Sequence, residues 1–389
     1  MFRSLGVVNL AFKSFKIKQL KMNIFQNLKI VELASVLAGP AVGMFFAELG
    51  AEVIKIENKT TGGDVTRSWQ LPNEQVNVDE NGISDSAYFH SVNYGKKHYF
   101  LDLQSVTDRE KVYDILSQRD ASGKGCDVVI SNFKKSSAEK MGMDYETIKA
   151  MTPSVIYAQI YGFDEEDETP AFDVVLQAEA GFMYMNGEKG GNAVKMPVAL
   201  IDLLAAHQLK EGILVAMLKR ERTGEGSFVS TSLYESAVAS LANQATNWLM
   251  VGHIPQRIGS EHPNIAPYGD SFFTSDNKYV VLACGTEKQW LSLCKVLNLN
   301  LLIEDKRFKT NALRVKNRAE LYSILRGVME LYRRDELISL CKKHQIPIGA
   351  IRNMPEVFEN KTAQAMILEG TPHETVVTKC VKTVAFKIL

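Results

Sequence analysis

With 389 residues, 45 Lys+Arg balanced by 45 Asp+Glu and 46% apolar content, the chain has the make-up of an ordinary globular protein of about two domains. A formal net charge of zero excludes action on nucleic acid through a global basic field. No apolar run reaches about 18 residues, so no membrane span is expected.

Met1–Lys21 carries Arg3, Lys13, Lys16, Lys18 and Lys21 and no acid. Such a leader is either a transit peptide, which would direct the protein to mitochondria, or an extension ahead of a start at Met22. We read residues 1–21 as an extension outside the fold. Cys126, Cys284, Cys294, Cys341 and Cys380 are scattered and odd in number, which fits reduced thiols in the cytoplasm. The histidines and cysteines show no metal spacing, so no metal is expected.

From residue 28 strand and helix patterns alternate. Lys29–Leu33 reads as a strand, Pro40–Leu49 as a helix closed by Gly50, and Glu52–Glu57 (EVIKIE) as the next strand. The turn after the first strand, Ala34–Pro40, is not GxGxxG, so a standard dinucleotide site is unsupported. Thr60–Ser86 is a long polar loop, of the kind that is usually functional or disordered. Strands at Tyr99–Leu103, Asp127–Ile130 and Val155–Ile160 follow, separated by helices at Thr107–Gln118 and Ser137–Met151. Five such strands predict a doubly wound, Rossmann-like parallel sheet in an α/β domain.

The acidic run Asp164–Glu168 reads as a solvated loop. Phe172–Met185 reads as a buried helix with Asp173 at its start. Gly187–Asn192 is glycine-rich but lacks the Lys-Ser/Thr of a phosphate-binding loop. Pro197–Ile201 is a short apolar run, and behind it Leu209, Ile213, Ala216 and Met217 recur at helical spacing. Lys219, Arg220 and Arg222 gather at the far end, where cations suit the helix dipole. Asp202 stands where run and helix meet. There a carboxylate either caps free backbone N–H groups or does chemistry at a strand end.

Past residue 235 the character changes. A helix at Glu235–Met250 leads to an irregular Gly252–Tyr268. Ser271–Thr274 and Lys278–Ala283 read as a hairpin, and a mostly helical tract runs from Trp290 through Cys341. The predicted division is a large domain over 22–252, a smaller α+β domain over 253–345, and a tail over 346–389. Ile348–Arg352 and Val376–Ala385 of that tail are expected to return to the large domain.

An ordered set of segments resembles the class III CoA-transferase family, which includes formyl-CoA and carnitine CoA-transferases and has α-methylacyl-CoA racemase as a relative. The set comprises Leu28–Glu57, Gly63-Asp64 with Arg67, Asn93 with Lys96-Lys97, Asp127–Phe133 with Lys140-Met141-Gly142, Phe172–Gly181 and the stretch around Asp202. Gly259–Tyr268, Asp276 and Asp305–Asn317 complete it. The resemblance spans about Leu28 to about Phe358.

It implies that Asp202 is the catalytic aspartate, alternately bonded to an acyl group and to CoA. A carboxylate nucleophile divides one hard exchange into easier steps, and the surrounding site must exclude water. Val36, Leu37 and Ala38 are then expected near the pantetheine and thioester, with Leu101, Asn132, Phe133 and Lys140 contributing to CoA binding. Lys96 and Lys97 are expected phosphate contacts. Asp173, Gly259, His262 and Glu287 are expected around the substrate and active-site loop, and the Gly259–Pro263 loop is read either as binding acceptor groups through His262 and Asn264 or as a polar interdomain turn. The implied substrates are an acyl-CoA and small carboxylic acids such as succinate, acetate, oxalate, glutarate or a carnitine-like acid. CoA enters as substrate and no cofactor is needed. The implied assembly is an interlocked homodimer.

Departures from the family pattern are informative. Asn58 replaces a frequent arginine, Leu37 stands where formyl-CoA transferase has glutamine, and only Gly259 survives of its glycine loop. Phe172 stands where the racemase has histidine, which favours transfer over racemisation even though Glu287 matches a racemase glutamate. A non-catalytic acyl-CoA binder is the other alternative.

Overall fold

The computed structural model describes residues 23–74, 77–78, 84–117, 125–373 and 376–388. The basic leader, Met22, part of the 60–86 loop and Gln118 lie outside the described residues.

The first domain is laid down by β1 (Lys29–Glu32), α1 (Ala38–Glu48), β2 (Glu52–Glu57), β3 (Lys97–Phe100), α2 (Val106–Ser117) and β4 (Val128–Ser131). It continues through α3 (Lys135–Met141), α4 (Tyr145–Met151), β5 (Ile156–Tyr161), α5 (Asp173–Glu179), α6 (Phe182–Met185), α7 (Leu200–Thr223), β6 (Ser227–Ser232), α8 (Leu233–Ala239) and α9 (Ala242–Val251). The six strands form one parallel sheet in the order β3-β2-β1-β4-β5-β6. This is the doubly wound arrangement that the alternating pattern predicts, with β6 as an added sixth strand. Its order reverses between β1 and β4, and in such sheets ligands bind at that crevice.

Both faces of the sheet are covered, so its central strands are apolar on alternate residues of either side. Ile30, Val128, Ile130, Ile156 and Ala158 pack under α1, α7 and α8. Val31, Ile54, Val129 and Tyr157 pack against α2 and α4. The alternation EVIKIE looks like a half-exposed strand, but Lys55 and Glu57 are buried as well, held by ion pairs.

Three predicted helices are each two. Gly142 in the left-handed region ends α3. Gly181, at φ 81°, separates α5 from α6. The helix expected over 235–250 breaks between α8 and α9, near Ala242. Nor is the 172–185 segment buried along its length: Leu176 and Gln177 are buried, while Val174 and Val175 are exposed.

A second core gathers around Phe272, Trp290, Phe308, Leu325 and Leu337. Its sheet pairs β7 (Tyr268–Phe273), β8 (Tyr279–Ala283) and β9 (Ile348–Ala350) antiparallel, in the order β9-β8-β7. β9 therefore stays with the smaller core, because Ile348 and Ala350 complete the free edge of β8. The chain does return to the first domain further on. The Glu48 carboxylate of α1 accepts from Thr383 N at 2.6 Å and from Thr383 Oγ1 at 2.7 Å.

Candidate active site

α7 begins at Leu200 with Ala199 at its N-cap, and Ala199 offers no capping side chain. Asp202 is therefore inside the first turn rather than at the cap, and Pro197–Ala199 is irregular rather than a strand. The capping duty falls to another carboxylate. Asp173 Oδ1 accepts the Ile201 N–H at 2.8 Å, and its Oδ2 accepts Gln177 Nε2 at 2.6 Å. Gln177 Oε1 in turn accepts Met196 N at 2.7 Å, so α5 anchors the approach to α7. At the far end Arg220 binds Asp127 at 3.0 Å, which ties the helix to the start of β4.

The exchange of roles leaves Asp202 free. It is 7% exposed, and its carboxylate takes no hydrogen bond from the described residues. Burial first, and then the charge of Asp173, push its carboxyl up to about 7. The dipole of α7 favours a carboxylate in its first turn, but desolvation outweighs it.

Asp202 lines a cavity of about 280 Å³ with Ser35, Val36, Leu37 and Ala38 after β1, and with Asn132 and Lys134 after β4. Tyr161, Phe172 and Leu233 close its other sides. The cavity thus lies at the strand-order reversal. Val36 holds φ at 74°, a region a β-branched residue seldom enters and that costs on the order of 1–3 kcal/mol. α1 presses closely on this turn: a Cβ on Gly39 would lie 2.3 Å from that of Ala34.

A profile of CoA-transferase family III matches residues 25–387. The chain belongs to CoA-transferase family III. It is 34% identical over 341 residues to succinate–glutarate CoA-transferase of Agrobacterium fabrum, covering 87% of this chain and 82% of that one. It is 34% identical over 340 residues to succinyl-CoA:glutarate CoA-transferase of Mus musculus, covering 87% and 74%. A solved CAIB/BAIF family protein from Brucella suis superposes with a TM-score of 0.80 at 35% identity, covering 93% and 92%. These relatives make the chain an enzyme of the class III CoA-transferase type and do not favour the racemase alternative.

Within this transferase fold the expected site residues divide. Val36, Leu37, Ala38, Asn132 and Asp202 share one cavity, with Asp173 behind Asp202. Asn132 spends its amide on the Ser35 peptide, accepting from Ser35 N at 3.2 Å and donating to Ser35 O at 3.0 Å. Phe133 lines a neighbouring 50 Å³ cavity, and Lys140 is exposed in the last turn of α3. Leu101 is a core residue under the sheet.

The two lysines expected to meet phosphates do not face the cavity. The Lys96 ammonium is fully buried between Glu32, at 2.8 Å, and Asn93 Oδ1, at 2.9 Å, which consumes its charge. Lys97 sits on the edge strand β3 and pairs with Glu52. The cation lining the cavity is instead Lys134, with Lys135 in the neighbouring smaller cavity, and the acidic run reaches both. Lys135 pairs with Glu165 and Glu166, Lys134 Nζ donates to Glu168 O, and Ser136 N donates to the Glu168 carboxylate at 2.8 Å. That run is exposed, as a solvated loop should be, but it is also tethered.

Gly259, His262 and Glu287 belong to the second half of the chain and do not line the Asp202 cavity. Gly259 N donates to Gly187 O at 2.9 Å, joining the two glycine-containing loops. His262 Nδ1 accepts from Asn264 N. Both Glu287 oxygens are taken by Arg314, at 2.6 and 3.1 Å, and Arg314 also lies 5.0 Å over the Trp290 ring. This structural pair occupies the carboxylate a racemase would need.

Tyr88 does not line the cavity, but it lies within electrostatic reach of its carboxylate, which spacing did not expose. Burial, and then the charges of Asp202, Asp173 and Asp64, push its phenol up to about 12, so it stays protonated near the free carboxylate. The only sequence signal is Ser86, which caps a short helix at the end of the long polar loop.

Proposed function

We propose that this enzyme moves CoA from an acyl-CoA donor to a short dicarboxylic acid through covalent intermediates on Asp202. The observation that carries this reading is a buried carboxylate without a hydrogen-bonding partner among the described residues, facing a cavity at the strand-order reversal. In the first step a carboxylate oxygen of Asp202 attacks the thioester carbonyl. The C–S bond breaks, leaving an aspartyl–acyl anhydride and CoA thiolate. The thiolate then attacks the aspartyl carbonyl and releases the donor acid. The acceptor carboxylate attacks the resulting aspartyl-CoA thioester, forming a second anhydride, and the thiolate takes up the acceptor's acyl group and frees Asp202. No step needs a cofactor, and each preserves an activated acyl bond that water would destroy.

The names of the relatives from Agrobacterium fabrum and mouse support acids of the succinate–glutarate size. Trp248, Leu249, Met250 and Val251 of α9 are 53–78% exposed, which supports burial against a second copy in an interlocked homodimer. Unpaired cysteines support a reducing compartment such as the cytoplasm. No helix among the described residues is long and apolar enough to cross a membrane.

The test is Asp202→Asn assayed against a panel of acyl-CoA donors and mono- and dicarboxylate acceptors. Exchange should fall by on the order of 10⁴-fold or more, with CoA binding retained. Hydroxylamine added with acyl-CoA alone should convert Asp202 to a hydroxamate. An unmodified Asp202 peptide, or undiminished exchange in the variant, would overturn the covalent route. Deuterium entering the α-carbon of a 2-methylacyl-CoA without an acceptor would instead favour the racemase.

A further inference from the structure

We propose that Asp64, with Lys55 behind it, is a positioning residue: it locks the Ala34–Val36 turn into the shape that seats the thioester end of acyl-CoA against Asp202. This rests on the transferase reading given above. The turn lines the Asp202 cavity through Ser35 and Val36, whereas Asp64 and Lys55 do not line it. Any effect of theirs on chemistry therefore passes through the turn.

Backbone polar groups from Ala34 to Val36 are held by side chains remote in sequence. Lys55 Nζ donates to Ala34 O at 2.6 Å. Asn132 takes both the N–H and the C=O of Ser35. Val36 N donates to the Asp64 carboxylate at 3.2 Å to one oxygen and 3.3 Å to the other. Behind the turn the holders are held themselves. Lys55 pairs with Asp64 at 3.0 Å and with Glu32 at 2.9 Å. Asp64 also accepts Thr66 N at 3.0 Å and Thr66 Oγ1 at 2.8 Å. Asp64 and Lys55 are 4% and 1% exposed, so no water competes for these bonds.

A loop that only had to connect β1 to α1 would place glycine at a positive φ and leave its polar groups to solvent. Here a β-branched residue sits at φ 74°, and buried charges hold it there. Strain kept in place by its surroundings beside a reactive carboxylate is the pattern of a preorganised site. Geometry matters because a misplacement of about 1 Å at a reacting centre can cost on the order of 10²-fold in rate.

The test uses the full chain and four proteins: wild type, Asp64→Ala, Val36→Gly and the double variant. Exchange kinetics and thermal midpoint are measured for each. Asp64→Ala leaves Lys55 paired with Glu32, and kcat should fall by on the order of 10²-fold while KM for acyl-CoA changes by less than about threefold. Val36→Gly alone should lose a few-fold. Glycine holds a positive φ without help, so the double variant should recover about tenfold in kcat over Asp64→Ala. Its thermal midpoint should stay as low as that of Asp64→Ala, since the lost ion pair is not restored.

Multiplicative losses in the double variant would overturn the proposal, as would recovery that merely follows the thermal midpoint. If Asp64→Ala does not fold, Asp64→Asn serves. It keeps an acceptor for Val36 N and should retain kcat within about threefold, and a loss of about 10²-fold would overturn the proposal. Asp202→Asn, run alongside, separates the two readings. Undiminished exchange there sinks the covalent mechanism, while multiplicative losses with Asp202 essential sink only the positioning role of Asp64.

Discussion

Asp64 and Asp202 are buried to almost the same degree, 4% and 7% exposed, and flank the same turn after β1. Asp64 accepts two backbone N–H groups and a hydroxyl and faces an ammonium 3.0 Å away. Asp202 accepts nothing from the described residues, and the charge that reaches it is the like charge of Asp173. A buried carboxylate without partners is costly, whereas one partnered on every side can hold structure. The difference separates the part of the site that holds from the part that reacts. Perturbed ionisation is common where a group reacts, and Asp202 shows it.

The holding side can be broken most severely at Lys96. Glu32 and Asp64 balance Lys55 and Lys96 within one buried cluster, and both ammoniums hold the Glu32 carboxyl below its ordinary value against the opposing effect of burial. Lys96→Met leaves that cluster with an uncompensated negative charge. The expected loss is about 3–5 kcal/mol, read from the denaturant midpoint. A loss below about 1 kcal/mol would show that the cluster is not held as a unit.

On the reacting side the sign reverses. The Asp202 carboxyl is raised from 3.8 to about 7 in the folded protein, so between those values the native state binds more protons than the unfolded chain. Stability from this group is therefore lost as pH rises through that window. Asp202→Asn should be more stable than wild type at pH 8 by on the order of 2–4 kcal/mol, and the gain should vanish towards pH 4. Equal midpoints at pH 8 would mean that Asp202 is solvated after all.

Asp173 sharpens the contrast by a smaller step. Its charge adds to burial in raising Asp202, so Asp173→Asn should lower the Asp202 pKa. The nucleophile is the ionised form. In wild type, kcat/KM should thus rise with pH through about 7 and level off above it. In Asp173→Asn that rise should move to lower pH, while the remaining amide oxygen can still accept the Ile201 N–H. An unmoved inflection would remove Asp173 from the electrostatics of the site.

Periodicity made the parallel sheet legible, because strands buried on both faces read as apolar runs separated by helical patterns. It also marked the long helix that carries Asp202. It could not show which carboxylate caps that helix, since Asp173 lies 28 residues from Ile201. Nor could it show the clamp on the turn, where Val36 meets Asp64 across 28 residues and Ser35 meets Asn132 across 97. Tyr88 was hidden for the same reason: the charges that act on it come from three separate segments. Leu101 and Phe133 show the converse, since apolar residues in a matched motif serve the core as readily as a ligand.

Lys97 is the smallest test of the same contrast, and it works because it adjoins Lys96. The two share a motif and a charge, yet one ammonium is enclosed and the other is on the edge strand with its side chain 63% exposed. The Lys97–Glu52 pair is 2.5 Å long, but both partners are solvated, and exposed pairs are typically worth about 0–1 kcal/mol. Lys97→Ala should therefore shift stability by no more than about 0.5 kcal/mol. It should also leave KM for acyl-CoA and its salt dependence unchanged, because the side chain lies outside the cavity lined by Asp202. A KM that rises in Lys97→Ala and loses its salt dependence would return a phosphate to β3. It would also mean that charge at this site is read from the edge of the sheet as well as from its reversal point.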